Sequence, residues 1–193
     1  MLEKKRFLIY NTGGRICFFE KVEVFMYKKG DYIFHENGGV CKIEDISEIA
    51  MSGLGSEKMY YVLLPYHESR SEIFSPVDAP KSKLRDIMSK DTLQALIDNI
   101  PSVEINWIKN DKLRIQYYKE ALATSEPEKI IEVLKTVYVI NHKRAVEGKK
   151  MLTADDRFYQ IAGKKIFDEI AYVYDIDMRE AEDMVEDVLK ACL

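Results

Sequence analysis

Cysteine is scarce in this chain, with three in 193 residues: Cys17, Cys41 and Cys192. They lie far apart and form no CxxC, which argues against a disulfide framework or a zinc cage. Reduced thiols in a cytoplasmic protein are the expectation. Long apolar runs are missing too. No stretch approaches the ~18 uncharged apolar residues of a membrane span, so no membrane partner is expected. At the start, Lys4, Lys5 and Arg6 precede only the short run Phe7–Tyr10. That run lacks the length and the small-residue cleavage site of a signal peptide. Nor is there an excess of positive charge. The formal net charge is -4, so any nucleic-acid binding must come from a local patch.

The usual marks of catalysis are also lacking. His35, His67 and His142 form neither an HExxH nor a His-x-His pair, so no metal is expected. Gly13-Gly14 and Gly38-Gly39 enter no helix with a Walker or GxGxxG pattern, so they are not phosphate loops. Cys41 sits among apolar neighbours on a β-prone run, and no nucleophile has a base beside it. Asp155-Asp156 resembles a carboxylate pair, but acids in a first helical turn are explained more simply by the helix dipole. The expectation is a binding protein with no catalytic residue and no cofactor.

What is present is ordered by type. Residues 1–25 hold two short β-prone runs, Phe7–Tyr10 and Ile16–Phe19, around the turn signal Asn11-Thr-Gly-Gly14. They read either as an extra hairpin of low order or as an upstream extension with Met26 as the natural start. Residues 26–78 read as four or five short strands with tight turns and no helix between them. The runs are Tyr32–Phe34, Val40–Ile46, Met59–Leu64 and Glu72–Val77, with Met51–Lys58 as a loop. That pattern predicts a small antiparallel barrel or a strongly bent sheet.

From residue 80 onward the periodicity is helical. Residues 79–103 read as connecting helices, Lys81–Met88 and Asp91–Ile100, the second capped by Ser89. Residues 104–193 read as an all-α domain. Its first helix opens at Asn106-Trp107, and the second follows a capping box at Ser125–Glu128. A third starts at Thr153, and the last is capped at Asp177–Glu180. The fold class is therefore α+β, with β first and α after.

Charge divides the helical half. Glu104–Lys165 carries 13 Lys and Arg against 9 Asp and Glu, whereas Ile166–Leu193 carries 2 against 9. The sole tryptophan, Trp107, stands at the start of the basic stretch. Cations around an exposed aromatic suit a phosphate backbone and a widened base step. The competing reading is a solvated helix surface with a buried tryptophan at a hinge.

Certain residues in order carry a family likeness. Tyr27-Lys-Lys-Gly-Asp31, Gly38-Gly-Val40, Tyr60-Tyr-Val-Leu-Leu64, Ser75-Pro-Val77 and Leu84-Arg-Asp86 resemble the RNA-polymerase-interacting domain of CarD-like regulators. The transcription-repair coupling factor shares that domain, but nothing here resembles its helicase motor. The likeness continues through Asn106-Trp107 into the CarD helical domain and covers residues 26–190.

The resemblance implies a Tudor-like barrel whose edge strand binds the polymerase β subunit, and a helical domain on promoter DNA at the upstream edge of the bubble. Such a factor modulates the stability of the open complex. The implied polymerase-facing residues are Ile46, Ile49, Ile73 and Phe74, on an edge at Lys42–Ile49 or Glu72–Val77. The implied DNA-facing residues are Trp107 as the wedge, with Lys109, Lys112 and Arg157, and the basic stretch adds Lys149 and Lys150 as DNA-binding candidates. A bacterial, cytoplasmic monomer is expected. Relatives carry arginines where this sequence has Ile49 and Phe74, and their loop at Met51–Lys58 is shorter. The alternative function is a protein-protein adaptor that does not bind DNA.

Overall fold

The computed structural model describes residues 6–9, 17–20, 27–49, 58–67, 71–79, 83–150 and 152–193. Strands β1 (Arg6–Ile9) and β2 (Cys17–Glu20) pair antiparallel as a separate two-stranded sheet, with Phe7 opposite Phe19. This pairing is the one the hairpin reading expects, and the turn expected at residues 11–14 lies outside the described residues.

A second sheet holds β3 (Tyr32–His35), β4 (Gly39–Ile49), β5 (Lys58–Pro65), β6 (Ile73–Pro76) and β7 (Leu84–Asp86). Every pairing is antiparallel, in the order β6-β5-β4-β3-β7. Two expectations are corrected here. The sheet is open, with β6 and β7 as its edges among the described residues, so no closed barrel is formed. The short helix expected at Lys81–Met88 is instead strand β7 at its centre. It pairs with the exposed backbone of β3, which drops Leu84 into the core and turns Arg85 to the opposite face.

The two faces of this sheet are covered differently. On one, Ile33, Cys41, Ile43, Tyr61, Leu63 and Leu84 form a small core that Tyr27 closes. A bulge between Ile43 and Asp45 bends β4 around it. The other face carries Phe34 and Val40, both fully buried. The helical half packs against this second face.

Helix α1 (Lys90–Asn99) is capped by Ser89, whose side chain accepts from the Thr92 amide, and it runs into a 3-10 turn at Ile100–Ser102. Then follow α2 (Asp111–Leu122), α3 (Pro127–Val146), α4 (Thr153–Tyr174) and α5 (Met178–Lys190). Asn106-Trp107 does not open a helix. It lies in an extended strap, and α2 begins where Asn110 caps the Leu113 amide. The N-cap of α3 is Glu126, without a side-chain bond, rather than Ser125. α4 begins at Thr153 as expected, with Leu152 as its N-cap and no side-chain cap bond. The capping box at Asp177 and Glu180 is complete.

The helices share one large core built on Leu93, Tyr118, Leu134, Phe158, Ile166 and Val185. Each fully buried Leu, Ile or Val contributes about 1.5–3 kcal/mol relative to exposure. Among the described residues no helix is long and apolar enough to cross a membrane.

Candidate functional site

Three regions bear on function: the junction of sheet and helices, the far end of the helices, and the β6 edge.

The junction is polar and buried. Arg85 of β7 makes four hydrogen bonds to three groups. It makes paired 2.7 Å bonds to both carboxylate oxygens of Glu169, one to the Ser125 carbonyl at 2.7 Å and one to the Asp86 carbonyl at 3.0 Å. Its guanidinium also lies 4.0 Å over the Phe34 ring. Glu169 further accepts from the Met88 amide at 2.9 Å and is 0% exposed. Next to it on α4, Asp168 accepts from the Val40 amide at 2.6 Å. Gly39 makes this possible: its φ is +65°, and a Cβ there would collide with the Asp168 carboxylate.

Burial pushes the Asp168 carboxyl up, against the Val40 amide and the His67 imidazole, which lies 3.6 Å away. One turn earlier, buried Lys165 donates to the Leu122 carbonyl, and burial pulls its pKa down to about 8 with Glu36 opposing. Tyr172, one turn later, packs on Tyr32 and Tyr66 of the sheet with centroids 5.0 and 5.1 Å away. Residues 165, 168, 169 and 172 follow helical spacing, so one stripe of α4 supplies much of the junction, with the Ser125 carbonyl added from the α2–α3 connection. Sequence reading missed this set. Its only trace was a charged pair, Asp168-Glu169, inside an otherwise apolar helix run.

The far end follows from helix directions. Arg114, in the first turns of α2, bonds Asp155 in the first turn of α4 at 3.0 and 3.2 Å. Leu122, at the last turn of α2, is bonded by Lys165 further along α4. So α2 and α4 run side by side in the same direction, and α3 returns between them. The start of α2, the end of α3 and the start of α4 meet at the end opposite the sheet. That end gathers most of the candidate residues. Lys109 and Lys112 are exposed and form no ion pair among the described residues. Lys149 and Lys150 are exposed on the α3–α4 connection, with Lys149 paired to Glu147 at 2.6 Å. Arg144 donates to the Lys150 carbonyl at 2.9 Å and 3.1 Å.

Arg157 is also exposed at this end. It lies two residues beyond Asp155, about 200° around the helix, and so faces a different side.

Trp107 is half-buried and belongs to neither hydrophobic core. One ring face lies under Arg114, whose guanidinium carbon is 4.3 Å from the ring centroid. Arg114 itself is 2% exposed, so this cation of the basic stretch is structural rather than presented to solvent. Burial opposes its charge, but Asp111 and Asp155 outweigh that and raise its pKa. Asp155 is raised by burial despite Arg114. We read the pair as ionised, because a guanidinium does not lose its proton in a protein. Asp155 is therefore an ion-pair partner, beyond the dipole role expected for it.

At the β6 edge the four candidates separate. Ile46 and Ile73 pack half-buried against the small core, and Ile49 is half-buried at the end of β4. Phe74 alone is open, at 52% exposure, on the face opposite Ile73. β6 pairs only with β5, so its outer backbone edge is unpaired among the described residues.

A family model for the CarD-like/TRCF RID domain matches residues 27–88. This stretch is an RNA-polymerase-interacting domain. The match starts at Tyr27, which closes the small core, and ends at Met88, whose amide is held by Glu169. It takes in all five strands of the RID sheet and about a third of the chain. The RID domain makes this an RNA-polymerase-interacting, transcription-related protein. No curated protein matches the chain.

Proposed function

We propose that this protein regulates transcription initiation without catalysing a reaction. It grips the polymerase β subunit by its RID sheet and sets the far end of its helices on promoter DNA at the upstream edge of the bubble. The observation that carries the reading is that Trp107, Lys109 and Lys112 lie at the start of α2 and Lys149 and Lys150 just before α4, the two helix starts being tied by the Arg114–Asp155 pair. An indole outside the hydrophobic core fits a widened minor-groove step, and exposed cations, Lys109 and Lys112 among them, hold phosphates beside it. On the RID sheet, Phe74 on the edge strand β6, whose outer side has no partner strand among the described residues, offers a polymerase segment both backbone bonds and an apolar contact. Binding the open complex better than the closed one shifts the equilibrium toward opening by that difference in affinity and no more.

The test is the lifetime of open complexes with the full-length protein and its Trp107→Ala variant. The reading expects a shorter lifetime with the variant at unchanged thermal stability. Equal lifetimes would remove the wedge. A second reading, an adaptor that binds only proteins, is favoured by the Arg114 cover on one face of Trp107. DNA affinity separates the two. Counterion release makes DNA binding weaken steeply with salt, whereas the adaptor has no DNA affinity to weaken.

A further inference from the structure

We propose that Arg114 is a positioning residue for Trp107, locking the indole in one orientation before it meets DNA; this rests on the reading of Trp107 as the DNA-facing side chain. The guanidinium is clamped from three sides. Its Nε bonds both oxygens of Asp155, and its Nη1 bonds the Ile108 carbonyl at 2.9 Å and Asp111 at 2.8 Å. A guanidinium so held cannot swing away, and its flat face rests on the indole at 4.3 Å.

The backbone on either side of Trp107 is pinned as well. The Asn106 amide donates to Thr136 Oγ1 of α3 at 3.1 Å, and the Ile108 carbonyl is taken by Arg114. Further back in the strap, Lys135 Nζ donates to the carbonyls of Pro101 and Val103 at 2.8 and 2.7 Å. The strap is thus tied to α3 and α2 at successive points, and the charge that lies over the tryptophan ring is itself held by its bonds to Asp155, Asp111 and the Ile108 carbonyl. None of these bonds contributes an apolar contact to either core. Their common effect is to fix the direction of one ring.

A side chain already ordered loses less freedom on binding. Ordering a free side chain weakens binding roughly two- to tenfold, which is the gain such a lock supplies. Because Trp107 is the sole tryptophan, its fluorescence reports the lock directly.

The experiment compares the full-length protein with Arg114→Lys, which keeps the charge facing buried Asp155 but loses the planar fork, and with Asp111→Asn, at an exposed site where folding is safe. Acrylamide quenching of Trp107 is read first. Affinity for a duplex with a melted segment is then compared with that for intact duplex. Arg114→Lys is expected to raise quenching and lose roughly two- to tenfold of the preference for the melted duplex. Asp111→Asn should move the same way by less. Trp107→Ala should lose more of that preference than Arg114→Lys, and adding Arg114→Lys to Trp107→Ala should then cost nothing more.

Unchanged quenching in both variants overturns the positioning role whatever the DNA result. Equal loss of affinity for melted and intact duplex overturns it too, since that is the mark of a missing phosphate contact. If quenching rises while Trp107→Ala leaves the preference intact, the stacking stands and the DNA-wedge reading falls.

Discussion

Arg85 and Glu169 meet across the sheet–helix junction through two parallel hydrogen bonds, each 2.7 Å long. The acid is wholly buried, and the cation is stacked on Phe34. Removing one partner strands the other charge away from water, whereas removing both does not. Arg85→Met is therefore expected to destabilise the fold by about 3–5 kcal/mol in urea unfolding. Arg85→Met with Glu169→Leu should recover most of that loss. Two losses that simply add would show that the pair acts independently.

Gly39 and Asp168 give a second, non-additive pair. Gly39→Ala meets a positive φ and the Asp168 carboxylate together. The backbone part alone costs about 1–2 kcal/mol. The collision adds to it, and Asp168→Ala removes the collision but leaves the Val40 amide unbonded. The double variant should be more stable than the sum of the two losses predicts, as measured by chemical denaturation.

Lys165 predicts a pH dependence. Its pKa falls from 10.5 unfolded to about 8 folded, chiefly through burial. Between those values the unfolded chain binds more protons, so stability rises as pH rises from about 8 toward 10.5 and is lost as pH falls back through 8. The neutral amine keeps its bond to the Leu122 carbonyl. The stability of the unmodified protein relative to Lys165→Met should therefore climb across that window, by ~3 kcal/mol at most. A flat difference in thermal unfolding would contradict it.

Phe74 predicts a separation of binding from stability. At 52% exposure it adds little to the fold, so Phe74→Lys should change unfolding by no more than about 0.5 kcal/mol. A charge on that edge strand should still weaken capture by the isolated polymerase β lobe, by about tenfold. Undiminished capture would place the polymerase contact elsewhere on the RID domain.

Much of the architecture was legible because it is local. Alternation in Val40–Ile46, the cap at Ser89 and the box at Asp177–Glu180 each act within a few residues, and all appear in the fold. What was not legible depends on partners far along the chain. Leu84–Asp86 reads as helix until the bare edge of β3 is known to lie beside it. Ser125 looks like a cap, but its carbonyl serves Arg85, 40 residues away. Asp155 looks like a dipole-complementing acid until Arg114 arrives from α2. Three of the four polymerase-facing candidates are partly inside, since one residue's shift along a strand exchanges its faces. The grouping of Trp107 with the cations at one end was partly visible as a charge block, but the turning away of Arg157 and the burial of Arg114 required the helix packing.

Helix α4 takes part at both extremes of the molecule, through Asp155 in its first turn and Tyr172 in its last. Its 22 residues make an unbroken rod about 33 Å long, close to one repeat of the double helix. A tug delivered to either tip must travel along that rod with little bending. Two large partners held at its ends would then feel each other's movements as those of a single lever, with the distance between their grips set by the number of residues in one helix.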